Sequence, residues 1–239
     1  MRTRSSSLAG LTRLALVTLA SAAGTRSAAA QSDSVAVIAR AEADADPSMH
    51  MAHMRMSPLR APQPGDSARA AAILDAARTA IAPYADYHVA IADGYRIFAP
   101  KVPQHVYHFS RWQNALRSRW HFDPARPSSL LYVKTGDSTF RLVGVMYTAP
   151  QTATDADLDA RVPLSIAHWH LHTNICVPPR IRGWSQHDAA GHALFGPDGT
   201  ISTASACQAV GGRFLPQALG WMVHVYPTAT DPHTIWGAM

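Results

Sequence analysis

The sequence predicts an α+β fold, an alanine-rich N-terminal helical segment packed on a small, mainly antiparallel β-sheet. Three observations carry this reading. Apolar residues recur at helical spacing between Asp66 and Gly94. Two β-rich runs flank a short polar turn at Thr135-Gly136-Asp137-Ser138. Histidines occupy alternate positions in Ile166-Ala167-His168-Trp169-His170-Leu171-His172, the period of a strand.

Residues 1–30 read as a secretory signal peptide. Arg2 and Arg4 form a basic start, Leu14 to Ala23 an apolar stretch, and Ala28-Ala29-Ala30 a small-residue cleavage site. The apolar run is too short to span a bilayer, and no later run is longer. The expectation is a periplasmic or secreted protein cleaved near Ala30. Four of the 21 basic residues and none of the 16 acidic ones lie in this segment. The remaining chain is nearly neutral, with a net charge of +1. A nucleic-acid partner is therefore not expected. Cys176 and Cys207 are the only cysteines, and in an oxidising compartment they are expected to form a disulfide bond.

Residues 31–66 read as a flexible arm rich in Met, His and Pro, and 67–239 as a single α+β domain. Asp66 is a good N-cap for a helix carrying Ile73, Leu74, Ala77 and Ile81 on one face. Pro83 interrupts it; Tyr84, Tyr87, His88 and Ile91 continue the period, and Gly94 stops it. Ser110 with Gln113 matches a capping box for a short helix to about Trp120. Leu130–Lys134 and Phe140–Tyr147 read as a hairpin, Leu164–Thr173 as the histidine strand, and Trp221–Tyr226 as a further strand presenting Met222, His224 and Tyr226 on one face. Ser202–Val210 reads as a short helix ended by Gly211 in a long turn-rich stretch, which a Cys176–Cys207 bridge would pin. The alternating Asp155, Asp157 and Asp159 lack the glycine and glutamate of a calcium loop and read as a solvated loop.

Two constellations point to chemistry. On a strand, His168, His170 and His172 would share one face, and imidazole is the commonest protein ligand for transition metals. His168 and His172 would stand roughly 13 Å apart at Cα, so two adjacent histidines of the three are expected to bind, with His224 on another strand completing the site. His105 and His108 are further candidates. The second constellation is Met49, His50, Met51, His53, Met54 and Met56. Thioether sulfur is soft and suits Cu(I), so this arm reads as a secondary site that captures or transfers metal.

The His-x-His pattern with a third strand histidine resembles the zinc ligands of α-carbonic anhydrases. A cupin would share His-x-His, but Asn174 stands near the place of its glutamate. Separately, Ala92-Asp93-Gly94-Tyr95, Phe122-Asp123-Pro124 through Leu130-Leu131-Tyr132, and Arg141 through Tyr147 together resemble an uncharacterised family of exported bacterial proteins, over about residues 84–226. That resemblance implies export and one α+β domain, with no established activity.

The functional expectation is an exported transition-metal-binding protein holding a copper or zinc ion, with copper handling placed first. One alternative is a zinc-dependent hydrolase or lyase using metal-bound water, with His108 as its acid–base group. The other is a non-catalytic exported binding module whose histidines are structural.

Overall fold

The computed structural model describes residues 52–102 and 104–237. The expected signal peptide, most of the expected arm, and Met49, His50 and Met51 within it lie outside the described residues. Seven strands form one sheet: β1 (Met54–Met56), β2 (Arg96–Ile97), β3 (Tyr107–Ser110), β4 (Ser129–Gly136), β5 (Thr139–Ala149), β6 (His170–Val177) and β7 (Arg213–Val225). Their order is β1-β6-β7-β5-β4-β3-β2 and every neighbouring pair is antiparallel. Helices α1 (Asp66–Ile81), α2 (Tyr87–Ala92), α3 (Trp112–Arg117), α4 (Asp155–Arg161), α5 (Ala204–Ala209) and α6 (Pro232–Ile235) complete the described fold. Sheet with helix, antiparallel throughout, makes it α+β.

Directly opposed residues of an antiparallel ladder point to the same side of the sheet, so the register sorts the two faces. One face carries Phe109, Leu130, Val145, Tyr147, Leu171, Trp221, Val223 and Val225, all buried in the main core. Ile73, Ala77 and Ile81 belong to that core, so the apolar stripe of α1 meets its central strands. The other face carries a smaller core of Leu131, Val133, Val143, Met146, Met222 and Tyr226. The chain from Tyr226 folds back over this second face: Tyr226 N–H donates to Ile235 C=O at 2.8 Å.

Several local expectations change. Asp66 opens α1, but Gly65 is its N-cap. The Asp66 carboxylate instead accepts hydrogen bonds from the Gln63 N–H, the Ser165 hydroxyl and the Arg60 guanidinium. Arg60 also reaches Asp159, at 2.7 Å, and so ties α1 to α4; this ion pair and its hydrogen bonds hold the Asp66 carboxyl well below the usual carboxylate range. Ser110 does not cap α3, because it ends β3 and its hydroxyl bonds to Ser129 at 2.8 Å. Asp155, Asp157 and Asp159 lie on a helix, where Thr154 and Asp157 form the capping box.

The largest change concerns the arm expected over 31–66. Three of its residues form a strand: Met54, Arg55 and Met56 pair with His172, Leu171 and His170. Arg55 places its guanidinium over the Trp221 ring, 4.7 Å from the centroid. Ser57 then exchanges hydrogen bonds with Trp169 at 2.7 and 2.9 Å. Prolines on one flank hid this strand, since their punctuation reads as linker.

Candidate metal centre

The second face of the sheet is where the histidines gather. On β3, His108 stands opposite Leu131, and Leu131 stands opposite Gly144 on β5. On β7, His224 stands opposite Met146. Two strands separate β3 from β7, a span of roughly 14 Å on a flat sheet. The Nε2 atoms of His108 and His224 nevertheless lie 3.3 Å apart, because both rings lean across the intervening strands. Gly144 keeps this surface low: a Cβ there would stand 2.8 Å from the Tyr226 ring. That ring in turn flanks His224, with 6.3 Å between centroids.

His170 and His172 of β6 adjoin the pair. The His170 ring centroid is 4.9 Å from His224 and 5.6 Å from His172. A ladder irregularity falls between the two β6 histidines. Leu219, Gly220 and Trp221 of β7 span the gap that Leu171 alone spans on β6, with Leu219 at φ 65. This is a bulge, a device that re-aims the side chains around it. Gly220 is required there, since a Cβ would collide with the Ala149 carbonyl oxygen.

The tautomer of His108 follows from its neighbours. Its Nδ1 faces the Gln104 Oε1 at 3.5 Å, and the ring also bonds the Val106 backbone. The Gln104 amide nitrogen is committed to Phe98 C=O at 2.7 Å, which fixes the amide oxygen toward His108. With Nδ1 donating, Nε2 of His108 presents a lone pair to His224. This is the arrangement in which a histidine binds a metal with its other nitrogen anchored. Burial, and secondarily the positive charge His172 would carry, push His108 down to about 4. Burial likewise pushes His224 well below its ordinary value, helped by His108 and His172. Both rings are therefore neutral at neutral pH, the state a metal requires.

The remaining candidates are placed elsewhere. His168 was expected on the strand but precedes it: Ile166 and Ala167 N–H both bond Pro163 C=O, forming a turn, and β6 starts only at His170. The His168 Nδ1–H donates to Ser57 C=O at 2.9 Å. His105 is exposed in the bend before β3. His53 is fully buried, with its Nε2 2.6 Å from Gly199 C=O and its Nδ1 3.3 Å from Thr173 C=O, so it is occupied as a structural cross-link. Cys176 and Cys207 form the disulfide.

Methionines are the feature that sequence reasoning underused. Met54 opposes His172, Met56 and Met222 both oppose His170, and Met146 opposes His224. Met146 could have been found from its alternation along the hairpin strand, and Met56 only by pairing β1 correctly.

Among the described residues, no three His, Cys, Asp or Glu side chains gather as a ready metal cage. What the face offers is one close nitrogen pair with two more imidazoles beside it. A surface cavity of about 210 Å³ at α4, lined by Arg119, Asp157 and Arg161 among others, shares no residue with this group. Among the described residues no helix is long and apolar enough to cross a membrane. Comparison with protein families, with curated proteins and with solved structures gives no match for this chain.

Proposed function

We propose that this chain is an exported transition-metal-binding protein that handles copper, with the ion held between His108 and His224 and with His170 and His172 beside it. The observation that carries the reading is the 3.3 Å separation of two half-buried imidazole Nε2 atoms. Two nitrogens bound to one tetrahedral ion at about 2.0–2.1 Å lie about 3.3 Å apart. The anchored Nδ1 of His108 supports the same assignment. A nitrogen pair with further donors in reach suits uptake and release better than a closed structural cage does.

The test is elemental analysis of the untagged protein purified from a periplasm, beside His108→Gln/His224→Gln. Stoichiometric metal in the wild type and at least a tenfold loss in the variant is the expected result. Equal metal in both proteins, or none in the wild type even after reconstitution with Cu(I), Cu(II) and Zn(II), overturns the reading.

A further inference from the structure

The register places Met56, His170 and Met222 in one row across three adjacent strands. Met56 on β1 opposes His170 on β6, and His170 opposes Met222 on β7. All three point to the histidine face. Neighbouring strands lie about 4.8 Å apart, so each sulfur-bearing side chain stands one strand from the imidazole, one on either side. Met222 is buried and His170 is 3% exposed, which keeps two of the three donors away from bulk water. The same pattern recurs one pair along, where Met54, also buried, opposes His172.

We infer that this row is a thioether–imidazole site for a soft monovalent cation, Cu(I) or its analogue Ag(I), with β1 supplying the sulfur that completes it. The inference rests on the metal-binding reading above and deepens it by naming the oxidation state and by adding the two thioethers that flank His170 to the His108–His224 centre. Thioether ligands select Cu(I) over harder divalent ions. Methionine adds to this a flexible unbranched chain that closes on an ion without backbone movement. The bulge at Leu219-Gly220 lies on β7 beside the row and interrupts the β6–β7 ladder between His170 and His172. The Met/His-rich segment is therefore part of the centre: its end is a strand whose side chains face the histidines. An edge strand of three residues, held on one side only, opens more readily than an inner strand, so metal has a way in.

The experiment compares the full mature chain with Met56→Leu/Met222→Leu. Leucine matches methionine in volume and keeps the core filled, and circular dichroism checks that the variant folds; Met56→Leu alone provides a second variant at a half-buried edge position. Cu(I) affinity is read by competition with a chromophoric chelator, Ag(I) binding by calorimetry, and sulfur ligation by X-ray absorption. The expected result is at least a tenfold loss of Cu(I) and Ag(I) affinity in the double variant, a smaller loss in the single one, and a sulfur shell present in the wild type only. Zn(II) affinity should not move. Unchanged Cu(I) affinity in both variants, or nitrogen-only ligation in the wild type, overturns the inference and leaves the metal-binding reading standing. A wild type that binds no metal overturns both.

Discussion

Acidification should weaken this fold before the hydrogen-bonded carboxylates of Asp66, Asp157 and Asp188 titrate, and the histidine pair sets the size of the effect. In an unfolded chain a histidine titrates near 6.5. In the folded protein burial pushes His108 down to about 4, and His224 moves in the same direction. Folding therefore expels a proton from each ring. The sign follows: their contribution is fully present above about pH 6.5 and is lost as the pH falls toward the folded value. For His108 alone, the difference between 6.5 and about 4 corresponds to about 3 kcal/mol. In the middle of that window the slope approaches about 1.4 kcal/mol per pH unit for each such ring. Asp66, Asp157 and Asp188 are held below the ordinary carboxylate value by their hydrogen bonds, so their contributions disappear only at lower pH. The assay is urea unfolding at pH 7, 6, 5 and 4.5 in the presence of a chelator, for the wild type and for His108→Gln/His224→Gln. The wild type should lose stability steeply between pH 6 and 4.5, and the variant should lose much less. Equal slopes in the two proteins would refute the claim that these rings are held neutral in the folded protein.

Two further outcomes test the frame around the site. The Cys176–Cys207 bridge spans a sequence separation of 31; closing a loop of that length stabilises by about 4 kcal/mol on the chain-entropy account. Cys176→Ala/Cys207→Ala should lower the urea midpoint accordingly, and an unchanged midpoint would mean that the turn-rich stretch is held by other contacts. Gly220→Ala should cost about 1–3 kcal/mol through its collision with the Ala149 carbonyl, a melting shift of about 2–12 °C for a chain of this size. The same variant should weaken metal binding because the bulge lies opposite Leu171, between His170 and His172; a normal melting curve would show that the bulge has room to spare.

How far the sequence discloses this arrangement depends on how local each signal is. The hairpin of β4 and β5 follows from two β-rich runs and the turn between them, and the strands occur where that pattern puts them. The disulfide follows from the export expected of the sequence and from there being only two cysteines. Ser110 shows a local signal losing: its capping-box match with Gln113 is outcompeted by ladder pairing with Ser129. The three-histidine strand loses His168 because Pro163 accepts hydrogen bonds that turn the chain before it. The meeting of His108 with His224 is legible nowhere along the sequence, since it depends on strand order and on the lean of two side chains over Gly144. A glycine inside a β-strand does signal close approach, and that was the available hint.

The placement of β1 has a kinetic consequence. His53, at the entrance to β1, bonds the backbone at Thr173, 120 residues further along the chain. A short strand whose only partner is so distant closes one of the largest loops in the fold, so it docks late. Until it docks, the edge of β6 and the histidines beside it stay open, and the methionines of β1 remain on a tether. During refolding the nitrogen donors and Met222 are therefore assembled first, and the β1 sulfur donors Met54 and Met56 arrive afterwards. Metal present at that stage meets the imidazoles before it meets the β1 thioethers, and refolding with Zn(II) or with Cu(I) should consequently trap the chain at different steps.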